Sequence, residues 1–123
     1  MKFDTERPIW LQLVAEFERR ILIGEWPSGE KVPGVRDLAV ELGVNPNTVQ
    51  RAFAELERGE MVRTERTTGR FVTDQPGRID DLRRSAGAEA ADGYVREAQR
   101  LGMSKQSAID LLGRRWEETE GQG

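Results

Sequence analysis

The 123-residue sequence has no cysteine and no histidine. Without cysteine there is no disulfide framework, no thiolate metal site and no cysteine nucleophile. Without histidine the commonest general base, the usual base of a serine triad and the commonest transition-metal ligand are all missing. A carboxylate site for a hard cation has no loop motif behind it. No Asp/Glu pair lies in an apolar setting that would shift its pKa for acid–base work. We therefore expect no cofactor, no metal and no enzyme. No apolar run approaches the roughly 20 residues that span a bilayer. The start, Met1 to Arg7, is charged and lacks the apolar core of a signal peptide. These two readings predict a cytoplasmic chain with no membrane partner. An excess of positive charge is also missing: 19 basic residues face 22 acidic ones, for a net charge of -3. Any contact with nucleic acid must then rest on local charge.

What is present is a small core and good helix punctuation. Hydrophobic residues make up 37% of the chain, enough for one small domain with an appendage. Asp74-Gln75-Pro76-Gly77 reads as a linker. It divides the sequence into a mixed domain, 8–75, and a helical tail, 76–123. In the first part, Trp10, Leu13, Val14, Phe17 and Ile21 share one face of a helix that begins after Pro8 and stops at Gly24. Residues 26–33 read as a loop with one extended residue pair. A short helix follows from about Val35 to Leu42, with Gly34 as its N-cap and Leu38, Ala39 and Leu42 facing inward. Asn45-Pro46 then opens a third helix, Asn45 as N-cap and Pro46 at the first helical position. Its inward stripe is Val49, Ala52, Phe53 and Leu56, and Gly59 closes it. Only Gly43-Val44-Asn45 separates these two helices, which is helix-turn-helix spacing. Two β-rich runs around Thr67-Thr68-Gly69 then predict a hairpin. The fold class predicted is mainly α with a small β-hairpin (α+β): a winged helix-turn-helix followed by a two-helix tail.

That arrangement gives the polar residues a meaning. Asn45, Asn47, Thr48, Gln50 and Arg51 crowd the start of the third helix, the end that meets base edges when such a helix enters a major groove. Asn and Gln can bond adenine bidentately, and Arg can bond guanine or a phosphate. Asn45 serves equally well as a cap alone. Arg36, in the first turn of the second helix, is expected to reach the DNA backbone or a base edge. Arg63, Arg66 and Arg70 make the hairpin locally basic, with Glu65 the one acid in segment 61–73. A thin basic wing suits a minor groove. The predicted partner is double-stranded DNA. The alternative is a winged-helix protein-interaction module that does not bind DNA.

The tail carries no chemistry. Its first helix, about Arg78 to Leu101, should be irregular at Gly87 and Gly93. Its second, about Lys105 to Glu118, starts at the cap Ser104, and residues 119–123 should fray. Two short helices cannot build an independent core of any size. They must pack on the first domain or on a partner, and a homodimer through Leu82, Tyr94, Leu101, Ile109, Leu112 and Trp116 is the preferred reading. Trp116 could otherwise line a ligand pocket between subunits. A small-molecule effector is left open and unidentified.

Residues 8–74 resemble the GntR family of bacterial winged-helix transcription regulators. The resemblance rests on Pro8-Ile9-Trp10-Leu11-Gln12-Leu13, on the run Gly29 to Ala39, on Leu42 to Ala52, on Glu55-Leu56-Glu57 and on Gly69-Arg70-Phe71-Val72. Asn-Pro-Asn-Thr-Val-Gln-Arg, with a short two-helix tail, is similar to the YtrA-like subfamily. The resemblance implies a dimeric repressor on an inverted repeat near its own promoter, in a subfamily often linked to ABC-transporter operons. It also implies DNA contact for Arg36, Asn47, Thr48, Gln50, Arg51 and Gly69. Two positions depart from the family pattern: Gly34 stands where Ser is usual, and Arg70 where Thr is usual. The wider family also favours Arg at the positions of Pro46 and Gln50.

Overall fold

The computed structural model describes residues 1–122 and contains five helices and one antiparallel hairpin among them: α1 (Ile9–Leu22), α2 (Val35–Leu42), α3 (Pro46–Arg58), β1 (Val62–Glu65), β2 (Gly69–Val72), α4 (Arg78–Arg100) and α5 (Lys105–Gln122). The chain divides into two compact units, Met1–Arg83 and Arg84–Gly123.

In the first unit the helix starts and stops fall where the local signals place them. Asn45 Oδ1 accepts the Asn47 N–H at 2.8 Å, which satisfies one orphan donor of α3, and Pro46 occupies the first helical position. Gly43 ends α2 at φ 67°, a conformation that suits a residue without Cβ. The stripes Leu13, Phe17, Ile21 of α1 and Val49, Ala52, Phe53, Leu56 of α3 are buried to 1% exposure or less. Between them Phe17 and Phe53 stack at 5.1 Å, and Trp26 from the following loop closes the cluster at 5.2 Å from Phe17. α3 packs on α1, α2 and β1, so it is the element on which the unit is assembled.

The hairpin pairs Val62 with Val72 and Glu65 with Gly69. Segment 30–32, expected as a loop with one extended pair, adds to the other side of β2. Val72 N–H donates to Glu30 O and Val32 N–H to Arg70 O, each at 2.9 Å, and Lys31 bridges Phe71. An ion cluster ties α1 to α2. Arg20 reaches Glu16 and Glu41 at 2.8 Å and Glu25 at 3.3 Å, and lies 5.6 Å over Trp26. Hydrogen bonds from Arg19, and then Arg20, bring the Glu16 carboxyl down to about 2 against the opposing effect of partial burial.

Three tail expectations are corrected. α4 runs unbroken through Gly87 and Gly93. Each Gly costs about 1 kcal/mol relative to Ala, but the neighbouring Ala86, Ala88, Ala90 and Ala91 are strong helix formers and the ladder continues. α5 stays helical to Gln122, four residues past the expected end, while Gly123 lies outside the described residues. Leu82, expected on a dimer face, is partly buried against the core of its own first unit, beside Ile79. The reason is local. Arg78 donates to Gly59 O at 2.7 Å and Arg83 to Leu22 O at 2.6 Å, so two cations cap the carbonyl ends of α3 and α1 and hold the first turns of α4 on that unit.

In the second unit, Tyr94 donates its hydroxyl to Ala108 O at 2.8 Å, joining α4 to α5. Ser104 Oγ accepts the Ser107 N–H at 3.1 Å as the cap of α5. Among the described residues no helix is long and apolar enough to cross a membrane.

Candidate nucleic-acid interface

The short turn after Gly43 sets α3 against α2 and leaves its N-terminal polar residues outward. Asn45, Asn47, Gln50 and Arg51 are exposed and Thr48 is half-buried. Arg36 is exposed in the first turn of α2. It makes no side-chain hydrogen bond or ion pair among the described residues. The side-chain oxygen of Asn45 accepts the cap bond with one lone pair, which leaves its amide N–H groups and the second lone pair for an outside partner. Arg51 is also held: its guanidinium lies 4.1 Å from the centroid of Trp10 on α1. Stacking of this kind restricts the side chain while leaving its N–H donors at the edge of the plane. Sequence reasoning missed that support, because nothing in the spacing of α1 and α3 says which Trp meets which Arg.

The wing differs more from expectation. Gly69 begins β2 at φ 112°, and a Cβ there would stand 2.8 Å from Lys31 Cε. The positive φ favours glycine at the tip, whereas the flexible end of Lys31 could swing aside from a Cβ. The close approach also places Lys31, a cation not singled out in the sequence, directly against the wing. Arg66 is exposed in the turn and makes no ion pair among the described residues. Arg63 is paired with Glu65, lies 3.7 Å from Asp74, and covers the Phe71 ring at 5.1 Å. Thr68, first, and Arg63 together lower the pKa of Glu65.

Arg70 does not extend outward as a wing cation. Its Nε donates to Glu57 Oε1 at 3.1 Å, its Nη2 donates to Gln50 Oε1 at 2.7 Å, and its guanidinium sits 4.9 Å from the Phe53 centroid. Strand parity is the cause. Side chains alternate faces along a strand, and buried Val62 and Val72 mark the face that meets α3. Thr64 and Arg70 share that parity and are themselves cross-strand partners. Thr64 accordingly bonds the same Glu57 carboxylate. Arg70 is thus held against α3 by Glu57 and Gln50. Among the described residues the wing's unpaired cations are Lys31 and Arg66, while Arg63 and Arg70 are paired.

A polar, exposed start of a helix-turn-helix second helix, beside a glycine-tipped wing with cations on it, is a surface built for a polyanionic duplex. Residues 10–72 match the family "Bacterial regulatory proteins, gntR family". The chain belongs to the GntR family. It is 33% identical over 109 residues to the HTH-type transcriptional regulator YhcF of Bacillus subtilis, covering 89% of this chain and 90% of that one. The HTH-type transcriptional repressor YtrA of the same organism is 37% identical over 57% of this chain and 54% of its own length. A GntR family transcriptional regulator from Listeria monocytogenes superposes with a TM-score of 0.87 at 36% identity, covering 91% of this chain and 98% of that one. This GntR chain is thus a DNA-binding transcription regulator and not an enzyme. The alternative of an interaction module without DNA binding falls away.

Proposed function

We propose that this GntR regulator is a homodimeric repressor acting on an operator of two half-sites arranged as an inverted repeat. The observation that carries the reading is the unpartnered apolar face of the second unit. Val95, Leu101, Ile109, Leu112 and Trp116 are 48–69% exposed, and Ala98 is the one apolar side chain buried there among the described residues. A second copy is the simplest cover for such a face. The apolar hollow of about 480 Å³ lined by Tyr94, Val95, Met103, Ile109 and Leu112 is then filled by the other subunit, and no effector is assigned to it. Two-fold symmetry presents two copies of α3 to two half-sites, with Asn47, Thr48, Gln50 and Arg51 at base edges, Arg36 at the backbone and Gly69 with Arg66 at the minor groove. Repression is supported by likeness to the repressor YtrA. The site proposed is in the chain's own promoter, with an ABC-transporter operon as the class of target.

The test is fluorescence anisotropy on DNA from the chain's own promoter region, against scrambled DNA of equal length, at two salt concentrations. The expected outcome is a specificity ratio of about a thousand or more, with a stoichiometry of two chains per operator. Equal weak binding to both duplexes, falling together with salt, would refute an operator in that region.

A further inference from the structure

We infer that Arg70 is a positioning residue that decides which end of the Gln50 amide is offered to DNA. This rests on the reading of α3 as the base-contacting helix. Gln50, Phe53 and Glu57 recur at i, i+3 and i+7, so they line one face of α3 over two turns. The Arg70 guanidinium lies along that face. It is anchored at one end by Glu57, supported below by the Phe53 ring, and at the other end donates to Gln50 Oε1 at 2.7 Å. The Arg70 side chain is 23% exposed; its Glu57 end is part-buried, while the contact with Gln50 lies at the exposed surface.

A guanidinium carries only donors. The Gln50 atom that faces it must be the carbonyl oxygen, and this fixes the amide without ambiguity. The two N–H groups of Gln50 are left as the end presented outward. Free in solution, a glutamine amide turns either end to a base and can bond adenine bidentately as acceptor and donor together. Arg70 occupies one of the two lone pairs of that carbonyl and leaves the N–H groups foremost, so Gln50 favours acceptors, guanine O6 or N7, adenine N7 or thymine O4, over the bidentate adenine pairing. The wing therefore sets the chemistry of the recognition helix from inside the protein, without itself touching the base. Lysine could not substitute. It is a point donor and lacks the planar fork that spans Glu57 and Gln50 at once.

The experiment compares the full chain with R70A, R70K, Q50A and the double variant Q50A/R70A on the promoter operator and on operators changed singly at each base pair of a half-site. Binding is measured at two salt concentrations. In the free proteins, NMR relaxation of the Gln50 side-chain amide is also measured. The expected result is that R70A and R70K flatten preference at the same base pair as Q50A, by about tenfold. The double variant should lose no more than Q50A alone, since the two act as one unit. The salt slope should stay unchanged, and the ordered Gln50 amide should become mobile in R70A. A uniform loss on every operator, with a salt slope reduced by about one per half-site, would make Arg70 a direct phosphate contact and overturn the inference. So would additive losses in the double variant, or a Gln50 amide equally mobile with and without Arg70. Failure of the wild-type chain to prefer the promoter operator counts against the repressor reading. Failure of R70A to alter a preference that Q50A does alter counts against Arg70 alone.

Discussion

Among the described residues, 1–83 bury fourteen apolar side chains, whereas 84–121 bury one, Ala98. The contrast is sharpest between α3 and α5. Both begin at a side-chain cap, Asn45 and Ser104. Both carry an apolar stripe at helical spacing. In α3 the stripe is 1% exposed or less, because α1, α2 and β1 pack on the same helix. In α5 Ile109, Leu112 and Trp116 are 50–69% exposed. Equal local signals thus make equal helices, but an apolar stripe becomes a core only where other elements meet it. An amphipathic helix whose stripe is left open in one copy is a statement about a partner.

The comparison can be broken at either end. The largest effect is expected from Phe53→Ala. It removes the ring shared by Phe17, Trp26 and Arg70, and should destabilise the first unit by about 3–5 kcal/mol in urea unfolding. A loss below about 1 kcal/mol would mean that the aromatic cluster does not hold the unit together. Trp116→Ala should leave that unfolding transition in place and act on assembly instead. A loss of about 2 kcal/mol in dimer free energy, roughly thirtyfold in Kd, is expected by sedimentation equilibrium. An unchanged dimer would place the interface elsewhere.

The two caps sharpen the contrast at a smaller scale. Asn45→Ala should cost about 1 kcal/mol in global unfolding. Ser104→Ala should cost a similar amount, visible as faster hydrogen exchange at the start of α5 with the first unit unaffected. Equal appearance of both in one transition would show that the units unfold together. The smallest effect concerns pH. The pKa of Glu16 is lowered from 4.5 to about 2, so its ion pairs stabilise the fold above about pH 4.5, and that stability is lost as pH falls from 4.5 through 2. Solvent screening leaves about 0.5–1 kcal/mol of it. Glu16→Gln should remove this part of the acid dependence, and an unaltered pH profile would contradict the Arg19–Glu16–Arg20 account.

Most of the local geometry around the candidate interface was legible from residue order alone. Helix starts, the three-residue turn and the hairpin tip depend on Asn, Pro and Gly acting on their own backbone, and such effects are written within a few positions. The outward residues Asn47, Gln50, Arg36 and Arg66 follow once the inward stripes are known. The direction of Arg70 was partly legible as well, since Val62, Thr64, Arg70 and Val72 share one strand face. Charge alone does not name Glu57 and Gln50 as its partners. The third extended segment at 30–32 was harder to read. Its hydrogen bonds go to β2, about forty residues later, and no local pattern names a partner at that distance.

The sequence by itself determined the elements of the first unit: where its helices begin and end, which stripe is apolar, and that the turn between α2 and α3 is short. Those follow from hydrogen bonds and dihedral preferences within one or two turns. Only the tertiary structure decided that Arg51 rests on Trp10, that Arg70 grips Glu57 and Gln50, and that Leu82 belongs to the first core. Each of these joins residues far apart in the chain. Such contacts exist only after packing brings the elements within a few ångströms, where a long side chain's best partner is set by what lies nearest to it in space.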